Sequence, residues 1–221
     1  MIKFDLEWAL QESRKVQGFL RTGEEELLYK FALEKPNGTQ VYEIGSWRGR
    51  STILLASACK FSENGWVLAI DPHKKPERLN IKPAYDLWAE QNVNDTHEDF
   101  CANIVKADVD DYINPVRMTS EELGLYMNKQ KEKYPDYKTL ELNKIGFLFI
   151  DGCHQKDFVE KDFDLFEPFV VNGGCIAFHD SSPGNADYYE SAGIVAEEKL
   201  IKSGKFKSCG RFKSLTYGYK K

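Results

Sequence analysis

The chain lacks any Cys-x-x-Cys pair, and its five cysteines, at 59, 101, 153, 175 and 209, are odd in number and widely spaced. That argues against a zinc knuckle and a disulfide framework, and it fits reduced thiols in a cytosol. Positive charge is not in excess. Thirty Lys and Arg stand against 35 Asp and Glu, a net charge of −5, so no general attraction to nucleic acid is expected. No apolar run approaches the ~20 residues that cross a bilayer. The start, Met1-Ile2-Lys3-Phe4-Asp5-Leu6-Glu7, carries acids early and has no secretory apolar core. No G-x-G-x-x-G occurs, so the dinucleotide fingerprint is missing. No internal repeat or low-complexity linker divides the chain.

What is present is ordinary in amount. A length of 221 residues with 42% hydrophobic side chains supports one domain with a full core. Residues 5–20 have helical spacing, and this amphipathic segment offers a surface for self-association. Thr22-Gly23-Glu24-Glu25 reads as a capping box ahead of a helix that carries Leu27, Leu28, Phe31 and Ala32. That helix stops at Pro36-Asn37-Gly38, so residues 1–37 form an N-terminal helical region. Strands are expected at about 41–45, 66–70, 103–106, 145–150 and 174–178. Helices are expected at 50–61, 84–101, 155–169 and 190–203. Continuous apolar strands alternating with helices predict a parallel sheet covered on both faces. Residues 206–219 alternate and turn at Gly210, which reads as an antiparallel pair at the sheet edge. Residues 114–143 are polar and lysine-rich and read as an inserted helical segment or lid. The lysines and arginines gathered from Lys199 onward read as a solvated tail.

The stretch Val41-Tyr42-Glu43-Ile44-Gly45-Ser46-Trp47-Arg48-Gly49-Arg50-Ser51-Thr52 says most about function. It reads as a buried strand, a tight glycine turn and a helix start. Glycine lets backbone approach a ligand closely, and a helix start offers unpaired N–H groups. Glu43 would repel a pyrophosphate but suits a cationic or hydroxyl-rich cofactor. Four of the expected strands end in an acid, at Asp71, Asp108, Asp151 and Asp180. Acids are depleted in strands, and in open α/β sheets ligands bind outside the carboxyl ends of the strands. A functional crevice there is therefore expected, although each acid could also be a helix cap.

Taken in order, the motifs Glu43–Ser51, Ile70-Asp71-Pro72, Ile150-Asp151-Gly152-Cys153-His154 and His179-Asp180 resemble those of class I S-adenosylmethionine-dependent methyltransferases. The small O-methyltransferase-like group is the nearest likeness, and Gly18–Tyr29 and Gly210–Leu215 resemble it too. The resemblance implies a Rossmann-like, mostly parallel seven-stranded sheet with an antiparallel C-terminal strand and helices on both faces. It implies S-adenosylmethionine as cofactor. Gly45, Ser46 and Gly49 would meet its amino acid portion, and Glu43 would favour its positive charges. Trp47 and Ser51 would contact it, Asp71 would accept both ribose hydroxyls, and Asp108 would take the adenine amino group. Asp151 would lie at the same site.

For chemistry, the resemblance implies His154 and Asp151 as catalytic residues. It leaves open whether Mg²⁺ sits between Asp151 and Asp180 or whether His154 deprotonates the acceptor alone. Beside Asp180, Ser181 stands where similar enzymes have a stronger third ligand, with His179 on the other side. His73 and His97 read as surface residues. Tyr188-Tyr189 could stack on an acceptor or simply pack. The expected activity is O-methylation of a small hydroxylated molecule, a sugar or secondary metabolite, by a cytoplasmic enzyme. The alternatives are N-methylation on the same scaffold, cofactor binding without turnover, and a nicotinamide-linked reductase.

Overall fold

The computed structural model describes residues 2–74, 95–133, 143–182 and 192–221. The chain runs α1 (Leu6–Ser13), α2 (Glu24–Leu33), β1 (Gln40–Ile44), α3 (Arg50–Ser62), β2 (Val67–Ile70), α4 (His97–Lys106) and β3 (Ile113–Val116). It continues with α5 (Ser120–Lys133), β4 (Ile145–Ile150), α6 (Lys156–Phe166), β5 (Val170–Phe178), α7 (Ala192–Ala196), β6 (Phe206–Phe212) and β7 (Leu215–Lys220). A π-helical segment, Glu197–Lys202, prolongs α7.

The strands form one sheet in the order β3-β2-β1-β4-β5-β7-β6. β1 to β5 pair in parallel, and β7 runs antiparallel between β5 and β6. Every residue of β1 and β4 is buried, as continuous apolar runs at the centre of a parallel sheet must be. Alternation along these strands divides the core into two layers. Val41, Phe147 and Phe149 pack with residues of α2, α3 and α4, including Leu28, Leu54 and Phe100. Tyr42, Leu148, Ile150 and Phe178 pack with residues of α5, α6 and α7, including Met127, Phe163 and Val195. Fully burying one such large apolar side chain contributes roughly 1.5–3 kcal/mol.

The N-terminal helices are tied down by charge. Glu25 is buried, and it is paired with Arg14 at 2.7 Å and Arg50 at 2.6 Å. A buried carboxylate needs such partners. Glu25 therefore does not close a capping box. Gly23 is the N-cap residue, and it is Glu24 that reaches back to accept the Arg21 N–H at 2.8 Å. α1 turns Ala9 and Ser13 inward, and the Ser13 hydroxyl donates to the Arg50 carbonyl. That face is thus used within the chain.

Three expectations fail here. Asn103–Lys106 is the end of α4, not a strand: Phe100 and Ile104 are buried four apart, while Val105 is exposed. The third strand is Ile113–Val116, which among the described strands pairs with β2 alone. Its Pro115 has no N–H to give a ladder, and an edge strand tolerates that. Residues 114–143 are consequently not an insertion in their described part. They supply most of β3 and then α5, whose Gly124 lies against Leu165 of α6. The hairpin turns at Lys213-Ser214, while Gly210 lies within β6 at an irregular register. The helix expected at 84–101 falls partly outside the described residues, and the Tyr188-Tyr189 pair does so entirely. Among the described residues, no helix is long and apolar enough to cross a membrane.

Chain order reverses between β1 and β4, which opens a crevice at their carboxyl ends. There Gly45 (φ 89°) passes so close to the next loop that a Cβ would lie 2.3 Å from the Asp151 carbonyl oxygen. Gly38 (φ 70°) has a similar backbone but open space around it. Gly38→Ala is expected to cost only the left-handed strain, about 1–2 kcal/mol. Gly45→Ala adds a backbone collision that no rotamer relieves and should cost at least ~2 kcal/mol more. Urea unfolding of both variants measures this, and equal losses would refute the crossing of these two loops.

Candidate functional site

The glycine loop leaves β1 at Gly45 and enters α3 after Gly49, whose φ of 90° makes it a left-handed cap. Trp47 also has positive φ, 44°. Its N–H donates to Asp71 Oδ2 at 2.8 Å, and the His73 N–H donates to Asp71 Oδ1 at 2.6 Å. The acid at the end of β2 is thus fixed against the glycine loop, with lone pairs still available on each oxygen. Trp47 stacks on Phe19, with centroids 5.4 Å apart, and Phe19 is itself exposed.

Glu43 is fully buried in β1. Oε2 accepts the Thr52 hydroxyl at 2.5 Å, and Oε1 has no hydrogen-bond partner among the described residues. Burial pushes the carboxyl up to about 8, against the pull of the Ser51 and Thr52 hydroxyls; Asp151 and Asp71 add to the rise. The Ser46 hydroxyl is also buried without a partner among the described residues. Unpaired buried oxygens are uncommon, and two within the Glu43–Ser51 segment suit the floor of a polar, cation-bearing ligand site.

Across the switch point, the ends of β4 and β5 bring Asp151, His154, His179 and Asp180 together. One ligand atom from each lies within 4.8 Å of the others. His179 Nδ1 is 3.0 Å from Asp151 Oδ1 and 3.3 Å from Asp180 Oδ2. Nδ1 is thus buried within ion-pair distance of both carboxylates. His154 stands 3.6 Å from each carboxylate and is the most open of the four, with its side chain 40% exposed. Burial opposes charge on both rings. Asp151, helped by Asp180, outweighs it and raises His154, and Asp151, Asp180 and Glu24 together hold His179 well above the usual imidazole range. Burial likewise opposes ionisation of Asp180, but His179 and then His154 bring it down to about 2. The two imidazoles also hold Asp151 low against its burial.

Behind His179 lies a contact that spacing could not reveal. Glu24 Oε2 is 3.4 Å from His179 Nε2, and Ser214 Oγ is 3.2 Å from the same nitrogen. Ser214 donates its N–H and its hydroxyl to Glu24 Oε1 at 2.7 and 2.5 Å. Ser214, His179 and Asp151 thus stand in the order of a serine-protease triad. However, Ser214 is buried and its proton is committed to Glu24, so it offers no nucleophile.

One expected site residue falls away. Asp108 precedes β3, at the opposite end of the sheet from the crevice. It is exposed and paired with Lys3 at 2.5 Å, and Lys60 at the far end of α3 bonds its carbonyl. It cannot reach an adenine in the crevice, because the segment leading into it is a helix rather than a strand. Ser181 is no ligand either: its hydroxyl lies between the Phe178 and Ser214 carbonyls, away from the acids. His73, expected at the surface, is buried against Phe100 and 3.1 Å from the Thr96 hydroxyl.

A sheet in this order, with an acid-backed glycine loop at its switch point, defines the class I methyltransferase architecture. Residues 42–181 match the family described as a methyltransferase domain. The chain belongs to that family, and the protein is an S-adenosylmethionine-dependent methyltransferase. Similar solved structures include the O-methyltransferase TomG from Streptomyces achromogenes, involved in tomaymycin synthesis and solved with S-adenosylmethionine. That likeness has 13% identity and a TM-score of 0.64, covering 97% of this chain and 88% of that one. An O-methyltransferase from Bacillus cereus, in complex with S-adenosylhomocysteine, has 16% identity and a TM-score of 0.59, covering 97% and 90%. MycE of the mycinamycin biosynthetic pathway, solved with Mg and S-adenosylhomocysteine, has 15% identity and a TM-score of 0.57. There 98% of this chain matches 54% of the longer one. At these identities the likeness concerns the fold.

The Glu43 environment makes stability depend on pH in a direction unusual for an acid. Its folded value, about 8, lies above the ordinary 4.5, so between these the unfolded chain releases a proton that the folded chain keeps. Stability falls as pH rises through that window and levels off above it. Glu43→Gln removes this dependence. The variant should gain on the parent as pH goes from about 4.5 to 8, by on the order of a few kcal/mol at the upper end. Thermal melts across that range check this, and a difference that does not change with pH would show that Glu43 ionises freely in the fold.

Proposed function

We propose that the enzyme methylates a hydroxyl oxygen of a small acceptor, a sugar or secondary metabolite, in the cytosol. The observation that carries this is the placement of the Asp151–His154–His179–Asp180 cluster directly beside the glycine loop, with Gly45 against Asp151. In this reading Gly45, Ser46 and Gly49 receive the amino acid end of S-adenosylmethionine, with Glu43 and Ser51 beneath it. Asp71, already oriented by two N–H groups, accepts the ribose hydroxyls, and Trp47 covers one side. Asp151 borders the methyl-bearing sulfur. Five free cysteines fit a reducing compartment.

Methyl transfer to oxygen is an in-line displacement, so rate depends on aligning the acceptor and removing its proton. His154 is the accessible group of the cluster and takes that proton. Asp151 orients the ring from 3.6 Å. The Asp151 and Asp180 carboxylates offer oxygens within 4.8 Å of one another and fit a divalent cation such as Mg²⁺, which they would hold. Such an ion, when bound, lowers the pKa of a coordinated hydroxyl. Asp180 otherwise keeps His154 between two negative groups. The net charge of −5 and the crevice of acids disfavour a nucleic-acid acceptor.

Calorimetry with S-adenosylmethionine should show binding that Asp71→Ala weakens by more than about tenfold, since two charge-assisted hydrogen bonds are lost. In turnover assays over catechols, sugars and phenolic metabolites, His154→Ala should lower kcat by about 10²–10⁴-fold while cofactor affinity stays within a few-fold. Binding without product from any acceptor would instead make this a cofactor-holding protein. Product formed only on amines would make it an N-methyltransferase.

A further inference from the structure

We propose that Glu24 is a positioning residue. With Ser214 it grips His179 at Nε2, so that Nδ1 is presented as a nitrogen ligand to a divalent metal beside Asp151 and Asp180. This rests on reading the cluster as a metal site, as above, and adds a ligand and the residue that sets it.

Three distant segments make the grip: the first residue of α2, the end of β5 and the β6–β7 turn. Glu24, His179 and Ser214 are each at most 2% exposed. Glu24 is itself immobilised by the Arg21 N–H and by both donors of Ser214. It therefore offers Oε2 to His179 at a fixed position 3.4 Å away. With both neighbours of Nε2 fixed in this way, the ring's other nitrogen must face Asp151 and Asp180. A grip that served only to pin α2 to the hairpin would be satisfied by Glu24 and Ser214 alone. It would not need an imidazole whose far nitrogen is held 3.0 and 3.3 Å from two further carboxylates at the crevice. A carboxylate that receives the outer N–H of a histidine fixes its tautomer for metal binding, and losing such a partner typically costs 10–100-fold in metal affinity. A nitrogen donor also moves the site away from Mg²⁺, which prefers oxygen, toward Zn²⁺ or Mn²⁺.

The test is Zn²⁺ added to the whole protein labelled with ¹⁵N-histidine, whose four histidines can be assigned by substitution. Long-range ¹H–¹⁵N spectra should show the His179 proton on Nε2, with Nδ1 shifting as Zn²⁺ binds, and Zn²⁺ should displace Mg²⁺. Glu24→Gln should weaken Zn²⁺ by about 10–100-fold while S-adenosylhomocysteine still binds within a few-fold of the parent. A wild-type spectrum in which His179 ignores Zn²⁺ or binds it through Nε2 overturns the proposal, even if the variant does not fold. So does a folded Glu24→Gln with unchanged Zn²⁺ affinity. Failure of wild-type protein to bind S-adenosylhomocysteine would instead strike the broader reading of the crevice.

Discussion

Gly45 and Asp151 meet where the sheet changes direction, and the site depends on that contact. β1 and β4 are the two most deeply buried strands, and they deliver their following loops to the same point. Only a residue without a Cβ can pass the Asp151 carbonyl at this distance. The passage sets the glycine loop, built on β1, against the acid–imidazole cluster, built on β4 and β5. Without it, the carboxylates of the two halves would belong to separate surfaces.

Burying so many acids has consequences that the structure meets in two ways. Glu25 is compensated by two arginines, while Glu24 is compensated by His179, Ser214 and a backbone N–H. Asp151 and Asp180 rely on the two imidazoles. Among the described residues Glu43 has only hydroxyls, keeps an unpaired oxygen and has its carboxyl raised. An acid left short of positive partners at the base of a cleft is a place where a cationic ligand supplies what the protein withholds. Functional sites are where such local inconsistency is expected.

The central strands are legible in the sequence because a continuous apolar run closed by Asp suits a buried parallel strand and little else. The β6–β7 pair is legible in kind, but its turn is not, because Gly210 is a stronger turn signal than Lys213-Ser214. β3 is hidden: four residues with a proline carry almost no strand signal, whereas Ile104-Val105 looks β-branched yet lies on a helix. The misplacement of Asp108 at the crevice follows from that helix alone. Glu24 and Ser214 could not be paired from sequence, being 190 residues apart. The role of His179 likewise depends on which of its nitrogens faces the acids, a matter of tertiary geometry.

If the carboxyl edge of β1, β2 and β4 cradles an adenosyl amino acid with its sulfur toward His154, a crystal structure with S-adenosylhomocysteine will show it. The ribose hydroxyls should lie on Asp71 and the amino acid portion along Gly45–Gly49 above Glu43, with open space between the sulfur and His154. A ligand bound elsewhere, or one whose sulfur points away from the Asp151–His154–His179–Asp180 cluster, would contradict that arrangement.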